Sequence, residues 1–170
     1  MKRATLCFLI QHGCTDSVLL GRKKRGFGLG KYNGFGGKIE PGEEATQAAV
    51  REVAEECGLL VDPSDLMRAG HLTFFFPASP SYDHDVTLFV ATTWTGQVVE
   101  TEEMAPKWFP LRDLPFSRMW QDDAHWLPHV LAGGLVEAEF TFANDNETIA
   151  RSSLRATSLV RPPRGEAGSF

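Results

Sequence analysis

Between Gly37 and Leu59 the chain reads Gly37-x5-Glu43-x7-Arg51-Glu52-Val53-x-Glu55-Glu56-x-Gly58-Leu59, and these are residue types that can do chemistry. In a helix each residue turns by about 100°, so Glu52, Glu55 and Glu56 fall within an arc of roughly 120° near its end. Val50, Val53 and Cys57 gather on an adjoining face that can pack on a sheet and fix where the carboxylates point. Acids at a helix C-terminus oppose the macrodipole by a few tenths to about 1 kcal/mol each, and neighbouring like charges add to the cost. A solvated acidic face is the ordinary meaning of a charge run, and it leaves that cost standing. A hard divalent cation removes it, because carboxylate oxygens suit Mg2+ or Mn2+ and Mg2+ shares its sphere readily with water and substrate phosphates. Metal-assisted chemistry at a phosphate is the expectation.

Charge and aromatic residues nearby fit a phosphorylated ligand. Gly21 to Gly42 holds six Lys/Arg against Glu40 alone, a net +5 in a chain that sums to −5, which leaves −10 for the remainder. A positive patch on an acidic protein attracts phosphate locally and argues against coating of nucleic acid, so no stable nucleic-acid partner is expected. Lys23 is the leading phosphate contact in that window. A planar ring needs a flat apolar slot with a few directional polar groups. Phe27, Phe74, Phe76, Met104 and Trp120 supply a slot, and Asn33, Asp122 and Asp123 a polar edge. Adjacent carboxyls in apolar surroundings raise one another's pKa, so one can stay protonated and donate while the other accepts. The competing use of Asp122-Asp123 is to cap the helix that follows. His71, His84, His125 and His129 are not arranged like metal ligands and carry no assignment.

These side chains need elements to hold them. Leu6 to Ile10 and Val18 to Leu20 predict two strands of a hairpin around the polar turn at Gly13 to Asp16. Eight of the sixteen glycines lie between Gly21 and Gly42, which predicts loop or strand edge. A helix follows from Glu43 to Cys57, with acids in its first turn and Gly58 as its cap. Leu72 to Phe76 and Val86 to Trp94 predict an antiparallel pair, and Lys107 to Phe109 a short strand before Pro110. Asp123 to Ala132 predicts a second helix, with Pro128 inside it unless the proline starts or bends a turn. Leu135 to Phe142 and Thr148 to Ser158 predict closing strands, with residues 161–170 as a disordered tail after a single domain spanning 1–160.

Composition bounds the class. A chain of 170 residues can bury roughly 70% of its unfolded surface. With 42% hydrophobic and 23% charged residues it is not a disordered chain, a collagen or a disulfide mini-protein. No apolar run approaches the roughly 20 residues that span a bilayer, and the apolar stretch after Met1-Lys2-Arg3 reads as a strand rather than a signal peptide. Cys7, Cys14 and Cys57 are odd in number and lack C-x-x-C spacing, so a reducing, cytoplasmic setting is expected; separately, a monomer is the expected assembly.

At every defined position the segment from Gly37 to Leu59 resembles the Nudix box, G-x5-E-x7-R-E-U-x-E-E-x-G-U, with Val53 and Leu59 at the bulky apolar U positions. The likeness continues through Leu19-Leu20-Gly21-x-Lys23-Lys24-Arg25-Gly26-Phe27-Gly28, Asn33-Gly34-Phe35-Gly36-Gly37-Lys38, and Glu100-x-x-Glu103-Met104-x-Pro106-x-Trp108-Phe109. It extends to Leu114-Pro115-Phe116 and Met119-Trp120-x-Asp122-Asp123, so that residues 5–160 resemble the MutT-homologue branch of the Nudix hydrolases, which acts on oxidised purine nucleoside triphosphates. The resemblance implies an α+β, single-domain Nudix fold with a mixed sheet sandwiched between helices (α/β/α). It also implies a Mg2+-dependent hydrolysis, Mn2+ being an alternative, that converts 8-oxo-dGTP, and 2-oxo-dATP after it, to monophosphate and pyrophosphate and so cleans the nucleotide pool. By the same resemblance the Gly36 carbonyl, Glu52, Glu55, Glu56 and Glu100 match metal-ligand or base positions, and Arg51 orients the acids. Asn33, Asp122 and Asp123 match base readers, and Thr5 matches a pocket threonine if His12 to Ser17 is an insertion. Three departures stand out: Tyr32 replaces a Trp, the His12–Ser17 loop is longer, and the pocket residues between Pro77 and Asp85 differ, with His84 in place of an apolar side chain. The alternatives are the same chemistry on a dinucleotide polyphosphate, nucleotide sugar or RNA 5′ end, or a non-catalytic nucleotide-binding module, which the complete acid set disfavours.

Overall fold

The computed structural model describes residues 1–158, and the expectation for residues 161–170 lies outside them. In chain order the elements are β1 (Lys2–Gln11), β2 (Ser17–Lys23), β3 (Tyr32–Asn33), α1 (Ala45–Cys57), β4 (Met67–Phe75), β5 (His84–Ala91), β6 (Met104–Pro110), α2 (Asp123–Leu131), β7 (Leu135–Phe142) and β8 (Ile149–Thr157). The strands form one mixed sheet in the order β3-β2-β1-β5-β4-β7-β8, with β6 paired along β2. The β1–β2 hairpin is antiparallel with Leu9 opposite Leu19, and its turn is tied to the Asp16 carboxylate by the Gly13 N–H at 3.2 Å. β1 pairs parallel with β5, and β4 pairs parallel with β7.

Alternation along β1 explains the layers. Cys7 and Leu9 face a core covered by Ala49, Val53 and Cys57 of α1, whereas Phe8 and Ile10 face a core covered by Trp126, Leu127 and Val130 of α2. A strand with both faces covered needs an unbroken apolar run, and Cys7 to Ile10 supply it. The sheet is thus sandwiched between helices, the α/β/α arrangement expected. Phe89 is buried beneath α1, while Phe75 is only half-buried on the outer side of the sheet.

Element ends moved where pairing or capping outweighed composition. α1 starts at Ala45, with the Glu44 N–H donating to Gln47 Oε1 at 2.9 Å, so Glu43 precedes the helix rather than sitting in its first turn. Gly58 closes the helix at φ 78°, donating to the Ala54 carbonyl, as expected of a left-handed cap. β6 begins at Met104, three residues before the predicted Lys107, because Met104 to Pro110 register against β2 despite Pro106 and Pro110. Those prolines are tolerated on a strand with an unpaired edge. β5 starts at His84 and stops at Ala91, short of Trp94. α2 runs from Asp123 to Leu131 straight through Pro128. Among the described residues, no helix is long and apolar enough to cross a membrane.

Candidate active site

Residues 34–38 run along the first half of β1. Cys7 exchanges two backbone hydrogen bonds with Phe35 (2.7 and 3.0 Å), and the Thr5 N–H donates to the Gly37 carbonyl at 2.9 Å. That close approach requires glycine twice: a Cβ on Gly36 would strike the Thr5 carbonyl, and one on Gly37 would strike the Glu52 carboxylate. The last turns of α1 therefore lie hard against this segment. Glu56 is 2% exposed and accepts from the Gly36 N–H at 3.1 Å. Desolvation, reinforced by the charges of Glu52 and Glu103, pushes its carboxyl up to about 8 against the opposing Gly36 bond and Lys23. Burial raises Glu52 as well, with Arg51 opposing and Glu55 and Glu103 adding.

Arg51 gathers the acids. Its guanidinium grips Glu43 through two bonds (2.8 and 2.9 Å), and Nη1 reaches Glu52 at 2.9 Å and Glu55 at 3.3 Å, while Nη2 also donates to the Lys38 carbonyl at 3.0 Å. The bonds from Arg51 hold Glu43 down at about 2, and the fork fixes where Glu52 points. Glu55 is largely exposed, and Glu100 is exposed with Oε1 3.2 Å from Lys24 Nζ. Glu103 pairs with Arg25 at 2.9 Å and is felt by both Glu52 and Glu56. The sequence held no sign of that, because it depends on Met104 standing opposite Lys23 in the β6–β2 register. Among the described residues no three His, Cys, Asp or Glu side chains converge into a ready cage for a metal ion. The donor set still fits a hard divalent cation in kind: its side chains are all carboxylates, and Glu56 is a buried acid that accepts from a neutral N–H.

A cavity of about 240 Å3 opens at Gly36, Gly37 and Lys23 and ends between aromatic walls at Asp122 and Asp123. Thr5, Phe27, Asn33, Phe74, Met104 and Trp120 line it too, whereas Glu52, Glu55, Glu56, Arg51 and Glu100 do not. Phe76 stacks on Phe142 at 4.7 Å, and Phe27 lies 4.9 Å from Trp120, which carries Lys31 Nζ over its ring at 4.9 Å. Asn33 Oδ1 accepts from the Gly34 N–H at 2.8 Å, which leaves its amide NH2 to donate into the cavity. Thr5 is 3% exposed, and its Oγ1 has no hydrogen-bond partner among the described residues, an unusual state for a buried hydroxyl.

Asp122 and Asp123 are each 2% exposed. Asp122 stands at the N-cap position of α2 without making a side-chain cap bond; its Oδ2 accepts instead from Trp126 Nε1 at 2.8 Å. Asp123 Oδ2 accepts from the Trp120 N–H at 3.1 Å. Burial raises both carboxyls, and the charge of Asp122 raises Asp123 further, so the pair keeps a proton where exposed aspartates have lost theirs. Phe142, Lys31 and Trp126 also line the cavity and were not assigned from the sequence, and His84, a pocket position by the family likeness, lines it as well. Trp126 had a signal, being four residues after Asp122 and hence one helical turn away.

The family described as NUDIX domain matches residues 1–130. The chain is 46% identical to the oxidized purine nucleoside triphosphate hydrolase of Mus musculus over 151 residues, covering 89% of this chain and 92% of the relative. It is 47% identical to the protein of that name from Danio rerio over 130 residues, covering 76% and 80%. Among solved structures, a MutT protein from Bacillus halodurans superposes with a TM-score of 0.74 at 23% identity, over 91% of this chain and 97% of the other, which supports the fold.

Proposed function

The chain belongs to the NUDIX family, and from that membership we propose that it hydrolyses oxidised purine nucleoside triphosphates to the monophosphate and pyrophosphate. The observation that carries this reading is the single cavity that joins the glycine-lined edge of the acid helix to an aromatic slot ending in two buried carboxyls. A triphosphate chain and a purine ring call for those two environments, and the names of the mammalian and fish relatives agree.

Each residue then has a task. Lys23 faces the polyphosphate from the cavity wall. Arg51 holds Glu52 and Glu55 in place. Glu52, Glu55, Glu56, Glu100 and the Gly36 carbonyl are the groups that would hold Mg2+ or Mn2+, with Glu103 close enough to share their field. When bound, such a cation neutralises phosphate charge and polarises a water for in-line attack. Phe27, Phe74 and Trp120 clamp the ring, Asn33 donates to it, and Thr5 Oγ1 gains the partner it lacks. The Asp122-Asp123 pair presents both a donor and an acceptor.

The test is pyrophosphate release from the full chain with Mg2+ across a panel of nucleotides. Values of kcat/KM for 8-oxo-dGTP or 2-oxo-dATP at least tenfold above dGTP and above nucleotide sugars are expected. Equal rates on dGTP would refute the base assignment.

A further inference from the structure

His84 opens β5 and forms part of the slot wall. Its ring stacks on Phe74 (5.0 Å between centroids, 28°) and lies nearly parallel to Phe76 (6.1 Å, 9°), so its plane is set by two neighbours. Nδ1 is 2.6 Å from the Tyr82 carbonyl. A carbonyl can only accept, so Nδ1 carries the ring proton. Tyr82 is itself placed by its ring, which packs 4.3 Å from Phe27. Burial lowers the imidazole's pKa from 6.5, helped by Lys2 and opposed by the Tyr82 carbonyl, Asp83 and Asp85, so the ring is neutral near pH 7. In that tautomer Nε2 is an acceptor, and it has no protein hydrogen bond among the described residues.

The slot therefore offers acceptors from two separate elements: Nε2 on β5, and the carboxyl pair at the start of α2. Ring chemistry says which base uses both. Oxidation of a purine at C8 to a carbonyl places a hydrogen on N7, turning the edge of the five-membered ring from acceptor to donor. An unoxidised purine presents a lone pair there, and oxidation at C2 alters only the six-membered ring. We propose, on the nucleotide reading above, that His84 is a specificity-determining residue: its Nε2 accepts a hydrogen bond from the N7–H of an 8-oxopurine, so the enzyme favours purines oxidised at C8 over those oxidised at C2. An N7 lone pair facing Nε2 is at the same time disfavoured, which adds rejection to recognition.

The experiment measures kcat/KM of the full chain for 8-oxo-dGTP, 2-oxo-dATP and dGTP in wild type, H84M and H84Q. H84M should lower the ratio of 8-oxo-dGTP to 2-oxo-dATP about tenfold, the equivalent of about 1.4 kcal/mol. H84Q keeps an acceptor and should hold the ratio within about threefold. An unmoved ratio in H84M, or equal loss on both oxidised substrates, overturns the proposal. If H84M does not unfold cooperatively, the wild type is assayed instead on 8-oxo-7-deaza-dGTP, which lacks the N7–H. A tenfold loss relative to 8-oxo-dGTP supports the assignment, and retention within about threefold overturns it. Wild-type enzyme that prefers neither oxidised triphosphate over dGTP sinks the parent reading as well, a result distinct from an unmoved ratio among variants.

Discussion

Carboxyl groups are buried beside the glycine end of the cavity and in the wall of its other end, and the two groups settle the resulting cost in different ways. At the α1 end, desolvation raises Glu52 and Glu56, with the charges of Glu55 and Glu103 adding at Glu52 and those of Glu52 and Glu103 at Glu56, and positive charge opposes it: Arg51 at Glu52 and Lys23 at Glu56, where the proposed function adds a divalent cation. At the α2 end, Asp122 and Asp123 are raised by the same desolvation, yet they accept from the neutral N–H groups of Trp126 and Trp120. There the remedy is a retained proton. On the proposed function, burial of an acid suits one end to a metal and phosphate, and the other to the lactam edge of a base.

Removing Glu56 should break this contrast most severely. E56Q is expected to lower kcat on 8-oxo-dGTP by about a thousandfold or more, read as pyrophosphate release, the scale of losing a group at the reacting centre. The same variant tests the electrostatics. Because the Glu56 carboxyl is raised from 4.5 to about 8, the folded state binds more protons than the unfolded one, and cation-free wild type should lose stability as pH rises from about 4.5 to about 8. Thermal unfolding in a chelator should show that slope in wild type and a flatter one in E56Q, with Mg2+ restoring wild-type stability at pH 8. An identical slope in both proteins would end the comparison.

At the other end, D123A should raise KM for 8-oxo-dGTP about a hundredfold with little change in kcat, whereas D123N, which mimics the protonated acid, should stay within about tenfold of wild type. A fall in kcat alone would show that the pair is not a base reader. The smallest effect is expected from T5V. It removes a buried hydroxyl without a partner, so the free protein should gain on the order of 1 kcal/mol in thermal unfolding while KM rises about tenfold. Loss of stability with unchanged KM would make Thr5 a packing residue.

How much of this was legible depended on whether the signal was local. The acid run and its Gly58 cap announce themselves because adjacent like charges at a helix end conflict within a few residues of sequence. Phe27, Phe74, Trp120, Asn33 and the aspartate pair were also readable by residue type and by family likeness, and one cavity gathers them. What was not readable came from pairing across the sheet. Glu103 approaches Glu56 only because β6 registers on β2 from Met104 onward, a strand that its two prolines disguised. The state of His84 needs the Tyr82 carbonyl, which a single turn around Pro80 presents to it. The start of α1 needed the Glu44–Gln47 bond, which competed with the acids just before it.

Thr5 sits in the base slot, and its own amide is bonded to the carbonyl of Gly37, the residue pressed against Glu52. With the Cys7–Phe35 and Arg3–Ile39 bonds beside it, that rung locks the segment to β1, so on the proposed function the main chain fixes the span between ring and scissile bond, and the protein works as a gauge. Repacking either side of the sheet can tighten or loosen the grip on a nucleotide, but a ligand with a longer or shorter linker arrives out of step with the acids however well its ring is held.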